Sequence, residues 1–254
     1  MNAELFTAAP PAPIRWTLRD LIMVGLLTTA LGAALLLVIL LPSALGVDLI
    51  RDLLTSRPLA VTMVIGGLGY LIAMIATYAI IVRRKRGSWR EIGFRAPPLV
   101  ALLLTPVIFF GQLILLAIVN AILQSIIGTF ENPQVDALTD PAGFSWLNFG
   151  LVFLVGAIIA PIVEEMLFRG LLYQWLRNHT GAVGAILLSG AIFSVVHVYP
   201  VILLPLFVVG VVLAAVFEWT RSLWITITLH FFQNALAISV LFLLQAYPEL
   251  VPQT

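Results

Sequence analysis

The sequence predicts an all-α, polytopic transmembrane helical bundle of about seven to eight spans, and three observations carry that prediction. Hydrophobic residues fill 61% of the 254 positions and charged residues only 10%, whereas an ordinary soluble domain carries about 25% charged residues. The mean hydropathy is +1.11, and apolar runs near the ~20 residues needed to cross a bilayer recur along the chain. Finally, Lys and Arg concentrate in one segment between two such runs, as topology signals do.

The first apolar run, Leu18 to Leu41, follows Arg15 and Arg19 and stops at Pro42. A short polar loop with Asp48, Arg51, Asp52 and Arg57 leads to a second run, Pro58 to Val82. The most basic stretch comes next: Arg83, Arg84, Lys85, Arg86, Arg90 and Arg95. Basic residues at span ends mark the cytoplasmic side, so the N-terminus and this loop are expected on the inner face of the cell membrane. A third run, Leu99 to Ile127, precedes an acidic loop with Glu131, Asp136, Asp140, Pro133 and Pro141, expected outside. The remaining runs are Trp146 to Leu176, Gly181 to Tyr199, Val201 to Phe217 and Leu223 to Tyr247. Trp16, Trp146, Trp175, Trp219 and Trp224 fall near span ends, where aromatic belts form.

The organisation expected is therefore a disordered cytoplasmic tail at 1–16, N-terminal spans over 17–140, a catalytic transmembrane core over 141–247 and a short tail at 248–254. The opening residues carry no pattern of a cleaved signal peptide. A net charge of +1 gives no electrostatic footprint for nucleic acid. The chain has no cysteine, which removes disulfides, thiol nucleophiles and thiolate metal sites. The partners expected are the lipid bilayer and a membrane-associated protein or peptide.

The chemistry concentrates in Pro161 to Gly170, which places Glu164, Glu165 and Arg169 inside an apolar run, where ionised groups are costly and usually functional. Glu165 and Arg169 are four apart with the acid first, the favourable order for a helical pair. Glu164 is turned by ~100° from its neighbour and is left for other work. His197 follows Phe193 by four residues near the end of a run, and His230 leads Asn234 by one helical turn. Helix rise puts Glu164, His197 and His230 between the cytoplasmic half and the middle of the bilayer. Together they suffice for amide hydrolysis. Glu164 would take a proton from water, His197 would orient that water, and His230 with Asn234 would donate to the oxyanion. Alternatively Glu164, His197 and His230 would be three ligands of a catalytic Zn²⁺ with one open position. Gln112, Asn120 and Gln124 read as interhelical glue or cavity lining, and Phe193 as packing.

Glu164-Glu165-x-x-x-Arg169, Phe193-x-x-x-His197 and His230-x-x-x-Asn234 resemble the three motifs of the CPBP family of intramembrane proteases. That family includes the type II CAAX prenyl endopeptidases and bacterial members linked to bacteriocin processing or immunity. The segment Glu218-Trp-Thr-Arg-Ser-Leu-Trp224 is similar to the family's turn before its third motif. The resemblance covers about Pro161 to Val240 and implies a helical membrane endopeptidase with a cavity reached from the cytoplasmic side. It implies Glu164 as base, His197 as its partner, and His230 with Asn234 as transition-state stabilisers, in a site the family pattern also extends to Glu165. Arg169 is expected to support that site by fixing Glu165. Two rivals stand beside it: a non-catalytic scaffold or bacteriocin self-immunity protein of the same fold, and a transporter with a proton-titrating acid. Intact motif residues weigh against the first, and the lack of an internal repeat against the second.

Overall fold

The computed structural model describes residues 14–130, 132–140 and 143–250. Among these there is no strand, and six helices are long and apolar enough to cross a membrane. They are α1 (Leu18–Ala44), α2 (Pro58–Arg84), α3 (Leu99–Ile127), α4 (Trp146–Val195), α5 (Pro200–Thr220) and α6 (Leu223–Ala246). The difference from seven runs lies inside α4. At Gly181 the backbone takes φ 75° and ψ −178°, outside helical geometry and accessible to glycine without strain. The 50-residue run is thus two consecutive helices, divided where the sequence breaks after Leu176. The polar loop after α1 is also more ordered than expected, forming a helix at Asp48–Ser56.

Lipid tails are as apolar as leucine, so packing and hydrogen bonds, rather than transfer out of water, hold such helices together. The main apolar cluster joins Val24 of α1, Ile80 and Ile81 of α2, Val163, Met166, Leu171 and Tyr173 of α4, Phe217 of α5, and Leu223 and Ile227 of α6. The second half of α4 meets α5 at a pair of glycines. A Cβ on Gly210 would stand only 2.7 Å from the Gly190 Cα, so this approach requires two residues without side chains. α3 presents Leu103, Val107, Phe110, Ile114 and Ile126 outward, as a lipid-facing span should.

Two expectations at the N-terminal end are corrected. Trp16 is not a belt residue: it is 2% exposed and its indole N–H donates to the Leu171 carbonyl of α4 at 3.1 Å. Arg15, expected in a disordered tail, pairs with Glu91 at 3.1 Å and donates to the Arg86 carbonyl. Residues 1–13, Glu131, Pro141, Ala142 and 251–254 lie outside the described residues, so most of the expected tails and part of the acidic loop do too. Trp146, Trp219 and Trp224 are exposed as expected, whereas Trp175 is half-buried and packs against the main apolar cluster.

The basic segment is a structured cap rather than a free loop. Ser88 opens a short helix, Trp89–Ile92, with a reciprocal capping box to Glu91, the arrangement that satisfies both ends' orphan donors. Its last residues dock on the start of α6, where Leu223 N–H donates to the Gly93 carbonyl and the Ser222 hydroxyl to the Arg95 carbonyl. Gly93 sits at φ 125° against Leu223 and Phe217, a position closed to any side chain. Lys85 reaches back to the buried Asp20 of α1 at 2.9 Å.

Candidate active site

One residue sets the backbone around the two adjacent glutamates. α4 is π-helical over Phe153–Ile159, with i to i+5 bonds continuing to Ala160 N–H on the Val155 carbonyl. The next donor in that series would be residue 161, which is proline and has no N–H. The Gly156 carbonyl is therefore left over, and the Asn234 side-chain amide of α6 donates to it at 2.9 Å. A short α-helical turn, Ala160–Glu165, carries both acids, and a second π-helical stretch follows at Met166–Tyr173. Such insertions are frequent at functional sites. In the second stretch the Leu171 carbonyl accepts from the Gln174 backbone N–H and also from Trp16, and the Gly170 carbonyl from the Gln174 side chain.

The two carboxylates diverge into different surroundings. Glu165 and Arg169 are both 0% exposed, and Arg169 Nη1 lies 2.6 Å from Glu165 Oε1. Arg169 also donates to the Gly210 carbonyl of α5 at 3.0 Å and stacks its guanidinium 4.6 Å from the Phe193 ring centre. His230 of α6 completes this set, with Nδ1 3.0 Å from Glu165 Oε1. A carboxylate oxygen in this contact accepts, so the Nδ1 proton belongs to His230 and Nε2 is left over. That free nitrogen points towards Glu164 Oε2 at 3.9 Å, beyond hydrogen-bond range. The other oxygen of Glu164, Oε1, accepts from the Tyr70 hydroxyl of α2 at 2.6 Å. Charge and geometry thus separate the acids: Glu165 is bound up with Arg169 and His230, while Glu164 keeps one oxygen available.

The remaining candidates are placed less directly. His197 holds its Nδ1 2.7 Å from the Phe193 carbonyl and its ring 4.8 Å from the Phe193 ring. Phe193 in turn meets His230 edge-on at 5.9 Å, so it is the packing link between both histidines and Arg169. His197 makes no hydrogen bond or ion pair with Glu164 among the described residues. Directly after it, Val198 takes φ 58° while largely exposed, an unfavourable conformation for a β-branched residue. Asn234 spends one amide hydrogen on Gly156 and retains a second. Among the described residues no three His, Asp or Glu side chains gather closely enough to hold a metal ion. Of the candidate set Glu164, His197 and His230, only the first and last face each other.

Tyr70 has no counterpart among the residues singled out from the sequence, because a lone tyrosine in an apolar run reads as packing or belt. Gln112 does serve as glue, donating its side-chain amide to Gln233 across α3 and α6. Asn120 instead bonds within its own helix, to the Leu116 carbonyl.

Residues 146–236 match the family model described as type II CAAX prenyl endopeptidase Rce1-like. Over this segment the chain is similar to the CAAX-type membrane proteases. The chain is also 31% identical over 88 residues to the protein named "Putative membrane peptidase YdiL" of Bacillus subtilis (strain 168). That match covers 35% of this chain and 36% of the relative, so the chain spans about a third of the length of the curated relative it matches. No solved structure matches the chain. The matched segment takes in Glu164, Glu165, Arg169, His197, His230 and Asn234 and begins at Trp146, so α1 to α3, with Tyr70, lie outside it.

Proposed function

We propose that this multi-pass membrane protein is an endopeptidase that hydrolyses a peptide bond of a membrane-associated substrate, a prenylated protein or a bacteriocin-type peptide. The observation that carries the reading is the division of labour between the adjacent acids. Glu165 is neutralised in place by Arg169 at 2.6 Å, while Glu164, 16% exposed in its side chain, turns Oε2 towards His230. An intramembrane ion pair held for structure alone needs no second carboxylate.

In this mechanism Glu164 is the general base. Its Oε2 takes a proton from a water as the water oxygen bonds to the carbonyl carbon. His197, with Nε2 free, orients that water. Charge develops on the carbonyl oxygen, where His230 in its protonated form donates from Nε2 and Asn234 from its remaining amide hydrogen. Glu165 holds the His230 ring in the required orientation through Nδ1. The C–N bond then breaks as Glu164 passes its proton to the leaving nitrogen. A divalent ion such as Zn²⁺, held by Glu164, His230 and His197, would supply Lewis-acid activation of the same carbonyl, but these side chains are not gathered around one point and no step here depends on it. The N-terminus and the basic cap belong on the cytoplasmic side of the cell membrane in this reading.

The test compares the termini of membrane proteins in cells carrying wild type or Glu164→Gln. New termini that appear only with wild type are the expected result and identify the substrate. Identical termini, with both proteins inserted at equal levels, would overturn the assignment and favour a non-catalytic scaffold or immunity role.

A further inference from the structure

The residue that most restricts Glu164 comes from a helix outside the family segment. Tyr70 approaches from α2, where Gly67 stands close to Val155 and keeps α2 against the first π-helical stretch of α4. Its hydroxyl meets Glu164 Oε1 at 2.6 Å, within the 2.5–2.7 Å typical of O–H···O⁻ bonds. The ring packs on the main apolar cluster, so the hydroxyl is delivered by a side chain with little freedom. A carboxylate with both oxygens free can present either one, in many rotations. Pinned through Oε1, Glu164 has a single outlet, the Oε2 that faces His230.

We propose that Tyr70 is a positioning residue for the hydrolysis, selecting Oε2 of Glu164 as the atom that takes the proton from water. The proposal rests on the peptidase reading above. It makes α2 part of the catalytic apparatus, although the motifs lie in α4, the turn that follows it, and α6. Tyr70 touches neither substrate nor the attacked carbonyl and acts only through Glu164.

The experiment uses the full chain in proteoliposomes and a quenched peptide spanning the cleavage site found from the termini comparison. Tyr70→Phe keeps the ring and deletes the donor. Loss of one hydrogen bond to a charged group predicts a kcat lower by roughly 10- to 100-fold, with KM within about twofold because the substrate contacts are untouched. Tyr78→Phe, on the same helix but exposed beside Trp89, leaves both constants unchanged. In parallel, thermal unfolding of Tyr70→Phe, Glu164→Ala and the double variant forms a cycle. A paired hydroxyl and carboxylate give non-additive shifts in Tm. Unchanged kcat in Tyr70→Phe, beside an inactive Glu164→Gln, overturns the proposal, as do additive shifts in the cycle. Full turnover by Glu164→Gln instead removes Glu164 as the base and Tyr70's kinetic role with it, while the cycle still reports whether the pair exists.

Discussion

Replacing Arg169 by methionine removes three interactions at once from a site closed to solvent. The 2.6 Å pairing with Glu165 is lost, together with the hydrogen bond to the Gly210 carbonyl and the contact over the Phe193 ring. Glu165, 0% exposed, then has only His230 at 3.0 Å and the Thr226 side chain to answer its charge. Removing one partner of a buried pair costs about 3–5 kcal/mol. At about 2–4 °C per kcal/mol for a chain of this size, Tm in detergent should fall by about 10 °C. The same arithmetic gives a signed control. Glu165→Gln combined with Arg169→Met removes both members of the pair, so the double variant should be more stable than Arg169→Met alone. Tryptophan fluorescence during a thermal ramp reads both. An Arg169→Met protein that melts with wild type, or a double variant that melts below the single one, would refute the account of Arg169 as the counter-charge that keeps Glu165 in place.

Asn234→Ala leaves the Gly156 carbonyl without a donor and should cost about 1–3 kcal/mol; adding Pro161→Ala restores a backbone N–H to that series and should recover much of the lost Tm. Gly210→Ala drives a Cβ to 2.7 Å from the Gly190 Cα, and overpacking of this kind costs typically about 1–3 kcal/mol; because the Gly210 carbonyl then shifts from Arg169, its effect should shrink in an Arg169→Met background. Dialysis against EDTA should leave turnover intact, since Glu164, His197 and His230 are not gathered around one point; loss of turnover that Zn²⁺ alone restores would instead assign those three as ligands.

How far the sequence carried depends on whether the cause was local. The spans were readable because length and apolarity decide them, and the break in α4 was readable because Gly181 follows a polar patch. The Glu165–Arg169 pair was equally legible, since helix geometry alone brings residues four apart together. Contacts between non-adjacent helices were not legible. Tyr70 and Glu164 are 94 positions apart, and nothing in either neighbourhood announces the other. Trp16 was misread because a tryptophan before an apolar run has the same local signature whether it ends at the lipid interface or in the core. The π-helical stretches left a single clue, Pro161, whose missing N–H explains the use of Asn234 but not where the widening begins. For His197, shared depth with Glu164 did not amount to contact: its partner is the Phe193 carbonyl one turn away.

The docking of Trp16 has a consequence for how the protein is made. Its acceptor, the Leu171 carbonyl, is 155 residues further along the chain. At 5–20 residues per second, typical of ribosomes, that separation is roughly 10–30 s of synthesis. During this interval α1 has entered the bilayer, yet the surface that receives Trp16 does not exist. Its indole can rest at the headgroup level meanwhile, where tryptophan is comfortable. The same side chain would then serve first as a temporary mooring at the membrane surface and later as a bolt across the finished bundle, withdrawn inward only when the π-helical stretch of α4 arrives.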